Sequence, residues 1–407
     1  MPFKGWVLAG AAVALLAAVA YFAGGREAAP APATAAASTG PGPGQPFFGQ
    51  VGAAGAVPAM SGARAARYQQ LKENFALVDQ TYCNYAASTK YPEASRPAAE
   101  HTDQMNPNAP VTETHPMRLG GGRTEPGVQL QTSQSRVFLA SGEAAALSLR
   151  AVDADGKPLS LVVTRAIAQG MTFKGARATA QAPLAFADDG QGADGVAGDG
   201  AFGAILAPAQ TGLASFNGTI RAEVNYTVNG KQGFVLFDVI YTPELPAVWS
   251  GQVREAVEDG SLVFYLKAEI RQAGRYIVHG RVDDANGRPF ALATFNELLP
   301  AGSQEVKLMV FGKLMRDQEA AMPFTLRDVD GFLLKENTDP DRALMPRLEG
   351  RVYVGKAHTL KSFSDAQWQS EERTRHLVEF SKDVALARGA MAGFDPSLPV
   401  LKSACLP

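Results

Sequence analysis

The chain has 407 residues, room for two or three ordinary domains, and 46% of them are hydrophobic, enough for real cores. Its 38 Lys and Arg nearly balance 40 Asp and Glu, for a net charge of −2, and no long basic run occurs. A nucleic-acid partner is therefore set aside, because binding phosphates rests on clustered cations.

The N-terminus carries the clearest signal. Lys4 precedes an uncharged stretch from Gly5 to Gly25, and charge returns at Arg26. As a helix this stretch rises about 30 Å, the thickness of a bilayer's hydrocarbon core. Residues 1–26 read as a membrane anchor with its N-terminus inside. The alternative is a secretion signal cleaved at Ala18-Val19-Ala20. Either reading exports the rest of the chain. The first gives a single pass through the inner (cytoplasmic) membrane, with the C-terminal domains in the periplasm or extracellular space; the second gives a secreted chain. Residues 27–63, dominated by Ala, Pro and Gly, read as a linker too poor in apolar surface to offset its ordering entropy.

Residues 64–126 read as a helix followed by an extended strap. Tyr68, Leu71, Phe75 and Val78 recur at helical spacing. Prolines and the Gly120–Gly122 triplet punctuate the strap, and Tyr91 and Met105 are its apolar pegs, expected to lie along the next domain in sequence. Cys83 and Cys405 are the chain's 2 cysteines. Outside the cytoplasm such a pair is expected to be bridged, against the alternative of two buried thiols.

Two β domains fill the middle, over residues 127–245 and 246–362. The first holds AALSLRAVD, LSLVVTRA, TIRAEVNYTV and GFVLFDVIYT; the second holds SLVFYLKAEI, GRYIVHGRVD and EVKLMVFGKLM. Alternating strands at short intervals, with no long helix between them, predict a mainly β chain: two tandem immunoglobulin-like β-sandwiches, with an N-terminal membrane helix, a short N-terminal helix and a C-terminal helix. Asn229-Gly230 between two alternating runs predicts a type I′ hairpin. Residues 363–407 read as a helix and tail. Ser364 would be the cap, with Gln367 closing a capping box, and Gly389 the stop. Leu377, Val378, Phe380, Val384 and Leu386 would supply its contacts.

One loop stands out for chemistry. Residues 186–202, FADDGQGADGVAGDGAF, place Asp188, Asp189, Asp194 and Asp199 among five glycines. Calcium takes six to eight oxygens in a flexible shell, and carboxylates separated by tight turns can wrap one ion. The alternative is a solvated, turn-rich acidic loop. An EF-hand is excluded, since its acids fall at alternate positions and end on a Glu. The embedded GQGADG is a literal GxGxxG, but no helix follows it and its carboxylates would repel a pyrophosphate.

The pattern DDGxGxDxxxGDGxF resembles the acidic loop of bacterial envelope proteins with choice-of-anchor X domains. AGRYIVHGRVDDANGRPFALATF and LLPAGSQEVKLMVFGKLM resemble their sandwich repeat. The resemblance spans roughly residues 128 to 360. It implies an exported immunoglobulin-like adhesion or scaffold architecture, and a calcium role for Asp189, Asp194 and Asp199. Phe202 followed by Gly departs from the aromatic followed by Ser or Thr expected there.

Catalytic patterns do not emerge. The five histidines, His101, His115, His279, His358 and His376, are scattered, and neither a GxSxG elbow nor an HExxH helix occurs. Asp283-Asp284, before Asn286-Gly287, read as turn chemistry. Asp328 and Asp330 read as a turn, with a second cation site as the alternative. The expectation is a non-catalytic, membrane-tethered binding, adhesion or scaffold module, stabilised by Ca2+ and serving a protein or cell-surface partner. Two alternatives stay open: a subunit or assembly factor of a secretion or pilus-like complex, and a hydrolase of envelope polymers.

Overall fold

The computed structural model describes residues 62–172, 179–399 and 401–406. The expected anchor and nearly all of the linker lie outside them. No described helix is long and apolar enough to cross a membrane.

The described chain is mainly β, with strands at the short intervals its alternation predicts. The first group is β1 (Ser95–Pro97), β2 (Val111–Arg118), β3 (Thr124–Gln134), β4 (Phe138–Ala140), β5 (Ala145–Val152), β6 (Pro158–Leu159), β7 (Leu161–Gly170), β8 (Gln181–Pro183), β9 (Phe202–Leu206), β10 (Gly218–Val228) and β11 (Lys231–Thr242). One sheet runs β2-β3-β5-β6, with β9 also on β5; a second runs β4-β11-β10-β7-β8. The two share one core. In β10, Ile220, Ala222, Val224, Tyr226 and Val228 point inward and are essentially fully buried, while Arg221, Glu223 and Asn225 alternate outward. The turn into β11 has φ of 52° at Asn229 and 74° at Gly230, the paired positive angles that a type I′ hairpin demands.

The second group is β12 (Ala247–Glu258), β13 (Ser261–Ile270), β14 (Gly274–Asp283), β15 (Pro289–Leu299), β16 (Gly302–Val310), β17 (Thr325–Leu334), β18 (Arg342–Leu344) and β19 (Leu348–Val354). One sheet runs β1-β15-β14-β17-β18, with β19 also on β17; the other runs β12-β13-β16. Phe264, Tyr276, Leu308, Phe324 and Leu326 lie in the core between them. Burying one such side chain stabilises the fold by roughly 2–3 kcal/mol. At the junction of the two sandwiches, Arg136 pairs with Glu143 at 3.2 Å and with Glu349, and Arg347 donates to the Phe138 carbonyl at 3.1 Å.

The strap departs from expectation. Its first half passes over the nearer sandwich and packs on the farther one. β1 adds to the edge of β15, Tyr91 packs on the second core, and Met105 is buried with Ala98 and Leu292. From β2 onward the strap joins the domain next in sequence, with Leu119 packed on its core and Glu125 paired with Lys231.

The two long helices pair with each other. They are α1 (Gly62–Ser88) and α3 (Glu371–Phe394); the short α2 (Gly312–Asp317) lies between β16 and β17. Leu71 and Phe75 of α1 bury against Val384, Ala387 and Met391. Tyr68 lies 6.1 Å from Phe394 and Tyr85 lies 5.4 Å from His376, so the pair is antiparallel. Cys83 and Cys405 are bridged, across 322 residues of sequence.

Helix α3 starts later and ends later than its sequence suggests. Ser370, not Ser364, accepts the capping bond, from the Arg373 amide at 3.0 Å. The Ser364 amide is committed to the Gly260 carbonyl at 2.9 Å, which holds that residue to the second sandwich. Gly389 does not stop the helix. Met391 is still buried beyond it, which outweighs the roughly 1 kcal/mol that a mid-helix glycine costs. Val378 and Leu386, expected as contacts, are 46% and 72% exposed, because they fall off the Val384–Ala387–Met391 stripe.

Candidate functional site

The acidic loop leaves β8 and is pinned at its far end by backbone pairing. Ala187 and Gly203 exchange hydrogen bonds of 3.0 and 2.9 Å. Gly203 must lack a side chain: a Cβ there would stand 2.5 Å from the Ala193 carbonyl carbon and the Asp194 nitrogen. The loop thus folds back onto the first residues of β9. Gly190, Gly198 and Gly200 take φ of 73°, 76° and 83°, which lets the chain turn tightly between its carboxylates.

Main-chain amides organise those carboxylates. Asp188 Oδ1 accepts from Gly198 at 2.6 Å and from Asp199 at 3.2 Å, and its Oδ2 accepts from Gly200 at 3.0 Å. Asp194, 6% exposed, accepts from Gly190 at 2.5 Å and from Val196 at 3.3 Å. Asp199 accepts from Ala201 at 2.8 Å. One oxygen from each of Asp188, Asp194 and Asp199 lies within 4.8 Å of the others. At that spacing two unit charges repel by about 1 kcal/mol in water and about 3 kcal/mol at an effective dielectric of 20. Amide dipoles offset part of this, and an external cation would offset the rest. The donors are all hard oxygens, which suits calcium or magnesium and does not suit zinc.

Asp189 is not among the three. Its side chain accepts from the Gln191 amide at 3.0 Å and is exposed. Consecutive side chains leaving an extended chain point opposite ways, so only one of Asp188 and Asp189 can face the cluster. The Ala187–Gly203 pairing selects Asp188. Of the set Asp189, Asp194 and Asp199 implied by the resemblance, Asp194 and Asp199 lie in the cluster, and Asp188 stands there in place of Asp189.

A second polar cluster went unread in the sequence. Asp328 and Asp330 belong to strand β17 rather than to a turn, and serve arginines. Arg281, 4% exposed, donates to the Gln104 carbonyl and the Asp328 carbonyl, both at 2.8 Å, and to Asp330. Arg327 donates to Asp283 at 2.6 Å, to Asp328 at 2.8 Å and to the Met105 carbonyl at 3.0 Å. Burial pushes the Asp330 carboxyl up, but His279 and Arg281 outweigh it and hold the group below the usual carboxylate range. The alternation of Asp328, Asp330 and Phe332 about Val329 and Gly331 was the available signal, and a bulge at Asp328, φ 46°, interrupts it on the side of Arg327. Asp284 does act in a turn, accepting from Asn286 at 2.8 Å and Arg288 at 2.9 Å.

No protein-family model matches the chain. No curated protein matches it. Among solved structures, a DUF4785 family protein from Legionella pneumophila aligns at 11% identity and a TM-score of 0.37, over 55% of this chain and 57% of that one. The Yersinia pseudotuberculosis adhesin InvE aligns at 11% and 0.15, over 53% and 58%. Fibronectin(III)-like modules of Clostridium thermocellum CbhA align at 11% and 0.19, over 53% and 90%. The chain thus spans less than two thirds of the first two. Likenesses this slight carry no functional argument.

Proposed function

We propose that the chain is a non-catalytic binding or adhesion module of a bacterial cell envelope, exported and membrane-tethered, whose acidic loop is closed by calcium. It is a relative of the choice-of-anchor X proteins, and its two sandwiches are immunoglobulin-like. One observation carries the calcium reading: Asp188, Asp194 and Asp199 converge within 4.8 Å, and their hydrogen bonds come from main-chain amides. Three carboxylates supply charge and up to six oxygens, and carbonyls of the glycine turns or water complete a calcium shell. Extracellular calcium modules work at roughly 0.1–1 mM, which fits a loop of this modest charge. Bound calcium would rigidify this loop beside the outer end of the first sandwich, where a protein or cell-surface partner would be met.

The test is calorimetric melting of the full chain, loaded with calcium and then chelated. Calcium a hundredfold above its dissociation constant contributes about 2.7 kcal/mol, and chelation then lowers the melting temperature by several degrees. An unchanged melt, in protein verified to start calcium-loaded, would sink the reading.

A further inference from the structure

The second sandwich has an open side, and the strap closes only part of it. Strand β15 pairs with β14 along its length, whereas β1 covers it only over Ala291–Ala293, with one further bond from the Thr294 amide to the Ala94 carbonyl at 2.9 Å. Beyond Thr294 no strand lies on that side of β15 among the described residues. Thr294 donates toward the strap, so by strand alternation the main-chain groups of Asn296 and Leu298 also point into the opening. Among the described residues strand β16, at the edge of the facing sheet, pairs only with β13.

Between these two edges runs a groove of about 440 Å³. Val263, Phe295 and Met309 give it apolar walls. Leu298, 77% exposed, stands just beyond it. Its rim is one-sided in charge: Glu93, Glu258, Asp259 and Glu297 stand against the single cation Lys307. Elsewhere on this face a carboxylate is matched, as Glu305 is by Arg254 at 2.8 Å. The rim carboxylates form no ion pair among the described residues.

We propose that this groove takes an extended, basic peptide strand of a partner protein, added to β15 antiparallel, as β1 already is. The chain's own strap shows that the edge accepts a strand. Unpaired main chain gives such a strand its register, the apolar walls take every second side chain, and the four carboxylates select Lys or Arg at the positions between. An acidic strand meets like charge, and a proline loses a ladder bond. The inference goes beyond the cation reading and uses a different sandwich, so neither falls with the other.

The experiment uses the full chain and three synthetic octapeptides: valine alternating with lysine and arginine, its glutamate twin, and the basic peptide with a central proline. Binding is read by fluorescence anisotropy, and its location by hydrogen exchange. The basic peptide is expected to bind at least tenfold tighter than either control, to weaken several-fold from 50 to 500 mM salt, and to slow exchange over residues 294–299. Glu297→Lys with Glu93→Lys, both exposed and outside the core, should erase the tenfold preference without changing the melt. Equal binding of all three peptides, or protection elsewhere, would overturn the proposal. So would concentration-dependent protection of 294–299 in the protein alone, since a second copy would then be the occupant.

Discussion

The molecule holds two polar clusters of similar size and opposite design. In the second sandwich each carboxylate meets a guanidinium: Asp330 meets Arg281, and Asp283 and Asp328 share Arg327. In the acidic loop three carboxylates meet only amides and one another. The first cluster sets two guanidiniums against three carboxylates, so its charge is largely compensated, and it binds the strap to the fold. The second is compensated only in part, by the positive ends of main-chain amide dipoles. Charge compensation thus separates a structural network from a candidate site more sharply than acid density does.

Breaking the guanidinium-held cluster should be the most damaging change. Arg281→Leu strands Asp330 and frees the Gln104 carbonyl, and is expected to cost about 3–5 kcal/mol in urea unfolding. Next come Asp188→Asn, Asp194→Asn and Asp199→Asn, each expected to abolish the calcium-dependent rise in melting temperature; Asp199→Asn, whose one accepting oxygen the amide keeps, should do so with the fold spared, whereas Asp188 and Asp194 each lose an amide partner. Asp330→Asn should cost less than Arg281→Leu, because Arg281 keeps two carbonyl acceptors. Its cost also depends on pH. Asp330 titrates lower in the folded chain than in the unfolded one, so its contribution is full above the unfolded value near 4 and is lost as pH falls through the folded one. The gap between wild type and variant should therefore close in acid; a gap that widened would contradict the assignment. Smallest of all, Asp189→Asn should leave both the calcium response and the stability within about 0.5 kcal/mol of wild type.

Local rules made much of this legible. The inward set from Ile220 to Val228, the Asn229-Gly230 turn, the Leu71–Phe75 stripe and the cysteine pair each rest on spacing within one segment or on compartment chemistry. The closeness of three of the four loop carboxylates was also legible, because glycine turns between acids are a local pattern. The failures were long-range. Choosing Asp188 over Asp189 needs the phase of the Ala187–Gly203 pairing. Placing the strap needs Arg281 and Arg327 to find carbonyls 177 and 222 residues away. Ser364 makes a plausible cap until Gly260, a hundred residues upstream, takes its amide.

The Cys83–Cys405 bond has a mechanical consequence. Tension applied between Gly62 and Leu406 reaches the covalent cross-link before it reaches anything between the two cysteines. Both sandwiches lie inside the ring that the bond closes, in parallel with it rather than in series. A pulling experiment should therefore extend the oxidised protein only by what lies outside residues 83–405, with the sandwiches unloaded. After reduction the same pull would run through every strand in turn. The shielding is directional: a load that enters through a surface of either sandwich must still cross that sandwich to reach Cys83 or Cys405.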